Sequence, residues 1–137
     1  MKKIGFILFF AVLALNIKAQ NNLTWQNAIL RSDGRTELDG VEAFCAKTIC
    51  DGEEFLLVKF VNKNDRKVRL EWIDAVYVNG VWFYSKNPNP KVFYLDPKGT
   101  EEGKCDGQEK LKIKISTIID NPKDFGHYTV SGLSISK

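Results

Sequence analysis

The sequence contains one histidine, His127, and three cysteines, which leaves few side chains for metal or nucleophilic chemistry. A closed zinc site needs four ligands, and the spacing of Cys45, Cys50 and His127 is not typical of such a site. The chain also lacks a C-x-x-C pair, a G-x-S-x-G nucleophile elbow and a glycine-rich phosphate loop between a strand and a helix. We therefore expect no catalytic residues, no cofactor and no metal, and predict that the protein is not an enzyme.

No apolar run after residue 15 is long, and the run near the start of the chain is too short to span a membrane. It extends over residues 4–15 and is broken only by Gly5, about 12 residues against the roughly 20 that a spanning helix needs. Lysines precede it, and the polar segment 16–19 follows and ends in Ala19. This order predicts a secretory signal peptide over residues 1–19 and a single domain over residues 20–137. We expect a secreted or periplasmic protein with no membrane span after signal removal.

An excess of positive charge is also missing from the predicted mature chain. Three of the 20 lysines and arginines, Lys2, Lys3 and Lys18, precede residue 20, which leaves 17 residues of each sign. Nucleic-acid binding requires a concentrated basic face, and the alternating lysines of residues 110–114 are typical of a solvated strand. We therefore expect no nucleic-acid partner.

The three cysteines are expected to form one disulfide and leave one thiol, because an exported protein enters an oxidising compartment. The spacing leaves Cys45–Cys50, Cys45–Cys105 and Cys50–Cys105 open. We favour Cys50–Cys105, because both residues begin similar Cys-Asp-Gly segments and precede strong strand patterns. That bridge would close a long loop and stabilise the fold by about 4 kcal/mol, against about 2 kcal/mol for Cys45–Cys50.

The periodicity after residue 40 is that of strands. Val68, Leu70 and Trp72 alternate with charged residues, and residues 55–61 read as a buried central strand. Further strands are predicted near residues 24–30, 40–45, 75–78, 81–84, 91–95, 111–115 and 128–135, with a bulge at Gly132. We predict a total of about seven or eight strands in an all-β fold. The expected architecture is an antiparallel two-sheet sandwich, immunoglobulin/fibronectin-like, with a small barrel as the alternative.

The most suggestive motif is Asn79-Gly80 between two apolar runs, which predicts a hairpin with a two-residue turn. Pairing across this turn predicts one face with Val76, Val78, Val81 and Phe83 and another with Ala75, Tyr77, Trp82 and Tyr84. The aliphatic face is the expected core side. The aromatic face is a candidate binding platform, and the following loop offers amides. The predicted ligand-binding residues are Tyr77, Trp82, Tyr84, Asn87 and Asn89.

These features favour an exported, non-catalytic binding module that recognises a protein or a glycan. One alternative is a small secreted enzyme or thiol-redox protein that uses His127 or the unpaired cysteine. Another is a structural or assembly protein, joined through an edge strand or the spare cysteine. The aromatic face also has a purely structural interpretation, because cross-strand aromatic pairs stabilise hairpins and can form part of a core.

Overall fold

The computed structural model describes residues 23–31, 33–87, 89–121 and 126–137. The chain in these segments forms two antiparallel β-sheets, which confirms the all-β, two-sheet sandwich. The predicted signal peptide lies outside the described residues. No helix in the described segments is long and apolar enough to cross a membrane.

Ten strands make up the two sheets. They are β1 (Gln26–Asn27), β2 (Glu37–Leu38), β3 (Val41–Cys50), β4 (Glu53–Asn62), β5 (Val68–Val78), β6 (Val81–Tyr84), β7 (Lys91–Leu95), β8 (Thr100–Glu102), β9 (Lys112–Lys114) and β10 (His127–Ser136). Two short 3₁₀ turns cover Glu109–Leu111 and Ile115–Thr117. The sequence analysis did not predict β2 and β8, because strands of two or three residues are too short to show a period.

The first sheet is built around β3 and β4, which pair along their whole length from Val41↔Asn62 to Cys50↔Glu53. Each therefore has one remaining edge. On β3 that edge carries β1 and β2 in succession, and on β4 it carries β8 and β9.

The second sheet is built around β5, with β10 on one edge and both β6 and β7 on the other. The sequence predicted two strands here, but β5 runs without a break through Ile73 and Asp74. In β10 the register shifts between Ser131 and Ser134, and Gly132 has a positive φ of 63°. The predicted bulge is thus confirmed.

Three two-residue turns connect successive strands, and all have the same backbone form. Asp39-Gly40, Asp51-Gly52 and Asn79-Gly80 have positive φ at both positions, from 46° to 87°. This is the type I′ conformation, which suits the twist of a hairpin and favours Asn or Asp followed by Gly. The sequence prediction used only the third of these turns.

The core lies between the inner faces of β4 and β5. Phe60 and Trp72 meet there edge to face with ring centroids 4.9 Å apart, and both are almost completely buried. Trp72 is therefore a core residue, as its alternation with Glu71 predicts.

The disulfide joins Cys50 at the end of β3 to Cys105 in the segment between β8 and β9. The preferred pairing is thus confirmed. Cys45 is the free cysteine, and it is buried on β3.

Candidate functional site

The hairpin of β5 and β6 has the register that its Asn79-Gly80 turn predicts. The observed cross-strand pairs are Val78↔Val81, Tyr77↔Trp82, Val76↔Phe83 and Ala75↔Tyr84. Partners directly opposite each other share a face of the sheet. Tyr77, Trp82 and Tyr84 therefore lie together on the outer face of the second sheet, which we call the aromatic platform.

The platform is open to solvent. Trp82 is 37% exposed and Tyr84 is 56% exposed, whereas Tyr77 is half-buried between its neighbours. The ring of Tyr77 lies 4.9 Å from that of Trp82 and 6.3 Å from that of His127, which pairs with Tyr77 from β10. Three aromatic side chains thus form one row across three strands.

The opposite face of β6 does not enter the core as expected. Val76 and Val78 on β5 are buried, but Val81 is 54% exposed and Phe83 is 42% exposed. The cause is position in the sheet, since β6 pairs with β5 on one side only. All four residues of β6 therefore present apolar surface to solvent.

A groove with a volume of about 610 Å³ begins at the platform. Trp82 and Tyr84 line one side, and the bulged part of β10 lines another with the hydroxyl residues Thr129, Ser131 and Ser134. The remaining lining residues are Ile29, Leu30, Arg31, Leu38, Asp39, Gly132, Leu133 and Ile135. The register explains this arrangement, because Tyr84 and Thr129 both pair with Ala75 and so share the outer face.

The N-terminal segment completes the groove by crossing from one sheet to the other. Residues 26–27 pair with β3, and Ile29 then forms a parallel bridge with Thr129 of β10. The Thr129 hydroxyl donates a hydrogen bond to the carbonyl oxygen of Ile29. The wall formed by residues 29–31 is therefore fixed to β10.

Asn87 and Asn89, the other predicted ligand-binding residues, lie in the exposed loop after β6. The Asn87 Oδ1 atom accepts a hydrogen bond of 3.1 Å from the backbone N–H of Asn89, an Asx turn within the loop. Neither residue lines the groove. The structure thus brings Trp82 and Tyr84 together at the groove, with Tyr77 beside them and the two amides apart.

A buried carboxylate, Asp74, is the main polar site that the sequence analysis missed. Its Oδ1 atom accepts hydrogen bonds from Trp72 Nε1 at 2.9 Å and from the Tyr128 hydroxyl at 2.8 Å. Its Oδ2 atom lies 2.6 Å from Lys91 Nζ. These partners belong to β5, β10 and β7, so the carboxylate joins three strands of the second sheet. Since both oxygens are occupied, the site is suited to holding strands together.

The pKa of Tyr128 is raised well above its usual value, first by burial and then by the negative charge of Asp74. The hydroxyl therefore stays protonated and remains a donor to Asp74.

One sequence signal was available for the buried Asp74 site, because Asp74 stands in phase with the buried positions Leu70, Trp72 and Val76. A polar residue in phase with a core stripe indicates a buried, partnered group.

The residues proposed for the enzymatic and redox alternatives differ in their exposure to solvent. His127 is exposed at the start of β10, whereas the Cys45 thiol is buried, and burial raises its pKa to about 11. A thiol is nucleophilic as the thiolate, which requires a lowered pKa. In the described part of the chain, no cluster of three or more His, Cys, Asp or Glu residues is placed to hold a metal ion.

Comparisons of the chain with protein-family models, with curated proteins and with solved structures found no significant match.

Proposed function

We propose that this protein is an exported, non-catalytic binding module whose groove beside the aromatic platform takes a glycan. The observation that carries the proposal is the composition of the groove. Trp82 and Tyr84 stand on one side, and the hydroxyls of Thr129, Ser131 and Ser134 stand on another. A sugar ring has an apolar C–H face and a rim of hydroxyls. The aromatic rings offer dispersion contacts to the first, and the two Ser hydroxyls offer donors and acceptors to the second. The Thr129 hydroxyl, which donates to Ile29, offers an acceptor.

The shape of the site supports a ligand of this size. Small-molecule sites are concave and combine apolar or aromatic walls with a few polar groups, in volumes of about 300–1,000 Å³. The groove, at about 610 Å³, falls in this range. Its charged lining residues are Arg31 and Asp39, one of each sign, which favours a ligand without a large net charge.

Export is part of the proposal. The predicted signal peptide over residues 1–19 supports it, and so does the Cys50–Cys105 disulfide, because such bonds persist in oxidising compartments. The redox alternative is less well supported, since the Cys45 thiol is buried and its pKa is raised. A protein ligand is the second candidate for the platform, favoured by the apolar surface of Val81 and Phe83 on the other face of β6.

The test is a glycan-binding screen of the purified protein, followed by titration of any ligand found. Trp82→Ala and Tyr84→Ala should each weaken binding at least about tenfold, because aromatic anchors of a binding site cost about 2 kcal/mol or more on truncation.

Tyr94→Ala is the matched control. Tyr94 is 56% exposed, as Tyr84 is, but it lies on β7 outside the groove. It should bind as the parent does. Equal binding by all three folded variants would place the ligand elsewhere, and a parent that binds no glycan would overturn the glycan assignment.

A further inference from the structure

Most edge strands of the two sheets are protected against pairing with other chains. Charged side chains on an edge and groups that cover its backbone are the usual means of protection. On β2, Glu37 forms an ion pair of 2.7 Å with Lys63. On β7, the carbonyl oxygen of Val92 accepts a hydrogen bond of 2.8 Å from Lys110 Nζ. The strands β8 and β9 carry the charged residues Glu101, Glu102, Lys112 and Lys114.

Among the described residues, none protects the edge of β6 in this way. Its sequence is Val-Trp-Phe-Tyr, without charge or proline, and each side chain is between 37% and 56% exposed. An uncharged apolar edge of this kind is a template for strand addition. The surface also differs from the platform, because it is the backbone edge and includes Val81 and Phe83 from the opposite face.

The hydrogen-bonding pattern shows which backbone groups of β6 are available. The N–H of Ser85 donates to the carbonyl of Asp74 at 2.9 Å, so residues 74 and 85 form a hydrogen-bonded pair. Such pairs alternate along an antiparallel ladder, which assigns Val76↔Phe83 and Val78↔Val81 to the same type. The backbone N–H and C=O groups of Trp82 and Tyr84 therefore point away from β5, toward the free edge.

We propose that β6 pairs antiparallel with β6 of a second copy of this chain, with Trp82 opposite Trp82. In this register the outward backbone groups of the two Trp82 residues bond each other. Tyr84 lies opposite Gly80 of the copy, where the missing side chain leaves room for the aromatic ring. Val81 lies opposite Phe83, so all four apolar residues find a partner in the other strand. A register centred on Tyr84 would instead set Trp82 against Lys86.

A second copy suits this edge because the pairing is self-complementary about a two-fold axis. Only residues 80–84 of each copy take part, so the contact is small compared with the roughly 1,200–2,000 Å² of stable complexes. Association should therefore be weak and concentration-dependent. The axis is perpendicular to the sheet, which sets both aromatic platforms on the same side of a continuous sheet. If the proposed function is correct, the dimer presents two glycan grooves to one surface and binds a repeating glycan with avidity.

Sedimentation over a range of protein concentrations tests the pairing without any glycan. The parent should reach twice the mass of one chain as the concentration rises. Val81→Lys combined with Phe83→Lys places like charges opposite each other across the two-fold axis and should stay a monomer. Val81→Lys combined with Phe83→Glu gives the copies complementary charges at the same positions and should restore the dimer. Neither variant alters Trp82 or Tyr84, so glycan binding remains a separate measurement.

A parent that stays monomeric throughout would overturn the proposal, as would a dimer that persists in the doubly lysine-substituted variant. Failure of the Lys/Glu variant to dimerise would overturn the register.

Amide hydrogen exchange of the parent protein avoids any effect of substitution on folding. The N–H groups of Trp82 and Tyr84 should exchange rapidly at low concentration and more slowly as dimer forms, while those of Val81 and Phe83 should be protected throughout. Exchange of Trp82 and Tyr84 that is independent of concentration would also contradict the pairing.

Discussion

At the scale of single residues, Asp74 joins three strands of the second sheet through a carboxylate that is buried and has partners on both oxygens. Removal of one partner from a buried ion pair costs about 3–5 kcal/mol, because the remaining charge lacks its solvent and its counter-ion. Lys91 retains partial exposure and also donates to the carbonyl of Lys110, which reduces that cost. The two hydrogen bonds to Oδ1 add a geometric constraint, since they fix Trp72 and Tyr128 relative to each other.

We expect Asp74→Asn to lower the free energy of unfolding by about 2–4 kcal/mol, and Tyr128→Phe by about 1.5–3 kcal/mol. The amide of Asn retains an oxygen that can accept from Trp72 and Tyr128, but it has no charge for Lys91. The Phe substitution removes one hydrogen bond and leaves the ion pair. Urea denaturation at neutral pH measures both values. A loss below about 0.5 kcal/mol for Asp74→Asn would show that the charge does not stabilise the fold.

The free energy of unfolding of Tyr128→Phe should depend on pH differently from that of the parent in alkali. The pKa of Tyr128 is raised in the folded protein, so its contribution to stability is complete below the unfolded value near 10. That contribution is lost as the pH rises from there through the folded pKa. The free energy of unfolding of Tyr128→Phe should therefore fall less steeply than that of the parent above pH 10. Parallel curves would contradict the raised pKa.

At the scale of elements, the three type I′ turns show how far local patterns predict this fold. Asn79-Gly80 was recognisable because clear apolar runs flank it, and both its turn and its register are confirmed. Asp51-Gly52 has the same chemistry, but Lys47 and Thr48 interrupt the apolar pattern of β3 before it. Asp39-Gly40 follows only the two residues of β2, too few to show alternation.

Alanine substitutions at Gly40 and Gly52 allow the cost of backbone strain to be compared with the cost of a clash with a neighbouring side chain. Both glycines have positive φ, which costs about 1–2 kcal/mol for a residue such as alanine. A Cβ at Gly52 would meet nothing within 4 Å, whereas one at Gly40 would lie 2.7 Å from Asn64 Oδ1. Gly52→Ala should therefore cost about 1–2 kcal/mol in the free energy of unfolding.

Gly40→Ala should cost more, about 3 kcal/mol, because Asn64 must also move. The Asn64 Nδ2 group donates to the carbonyl of Asp39 at 2.9 Å and to Asn62 Oδ1 at 3.0 Å, and these bonds would be lost. Denaturant titration of the two variants side by side measures the difference. Equal costs would mean that Asn64 adapts without loss and that backbone strain accounts for both effects.

At the scale of the whole molecule, the features that the sequence did not predict depend on residues far apart in the chain. The groove brings Trp82 together with Ser131 and Arg31, and no local period indicates that these segments meet. Similarly, Asp74 looked like a break between two strands because its partners, Lys91 and Tyr128, come from other strands. The prediction of which residues share a face of the β5–β6 hairpin is confirmed, because a two-residue turn fixes which residues lie opposite each other.

The disulfide acts at this scale, because it joins the end of the β3–β4 hairpin to the segment between β8 and β9 across 55 residues of sequence. In the chain-entropy model, closing a loop of this length stabilises the folded state by about 4 kcal/mol through the unfolded chain. Replacing both cysteines, Cys50→Ser with Cys105→Ser, should lower the free energy of unfolding by about that amount. The parent measured in reductant should show the same loss, because Cys45 takes no part in the bridge.

Thiol titration checks the pairing independently. Without reductant, the folded parent should show almost no reactive thiol at pH 8, and the unfolded parent should show one, from Cys45. The folded protein should be unreactive because Cys45 is buried and its pKa is raised to about 11. The unfolded protein should show a single thiol because the disulfide keeps Cys50 and Cys105 oxidised. Three reactive thiols after unfolding would mean that the bridge is absent from the isolated protein. One rapidly reacting thiol in the folded state would instead strengthen the redox alternative, because it would require an accessible Cys45 with a lower pKa.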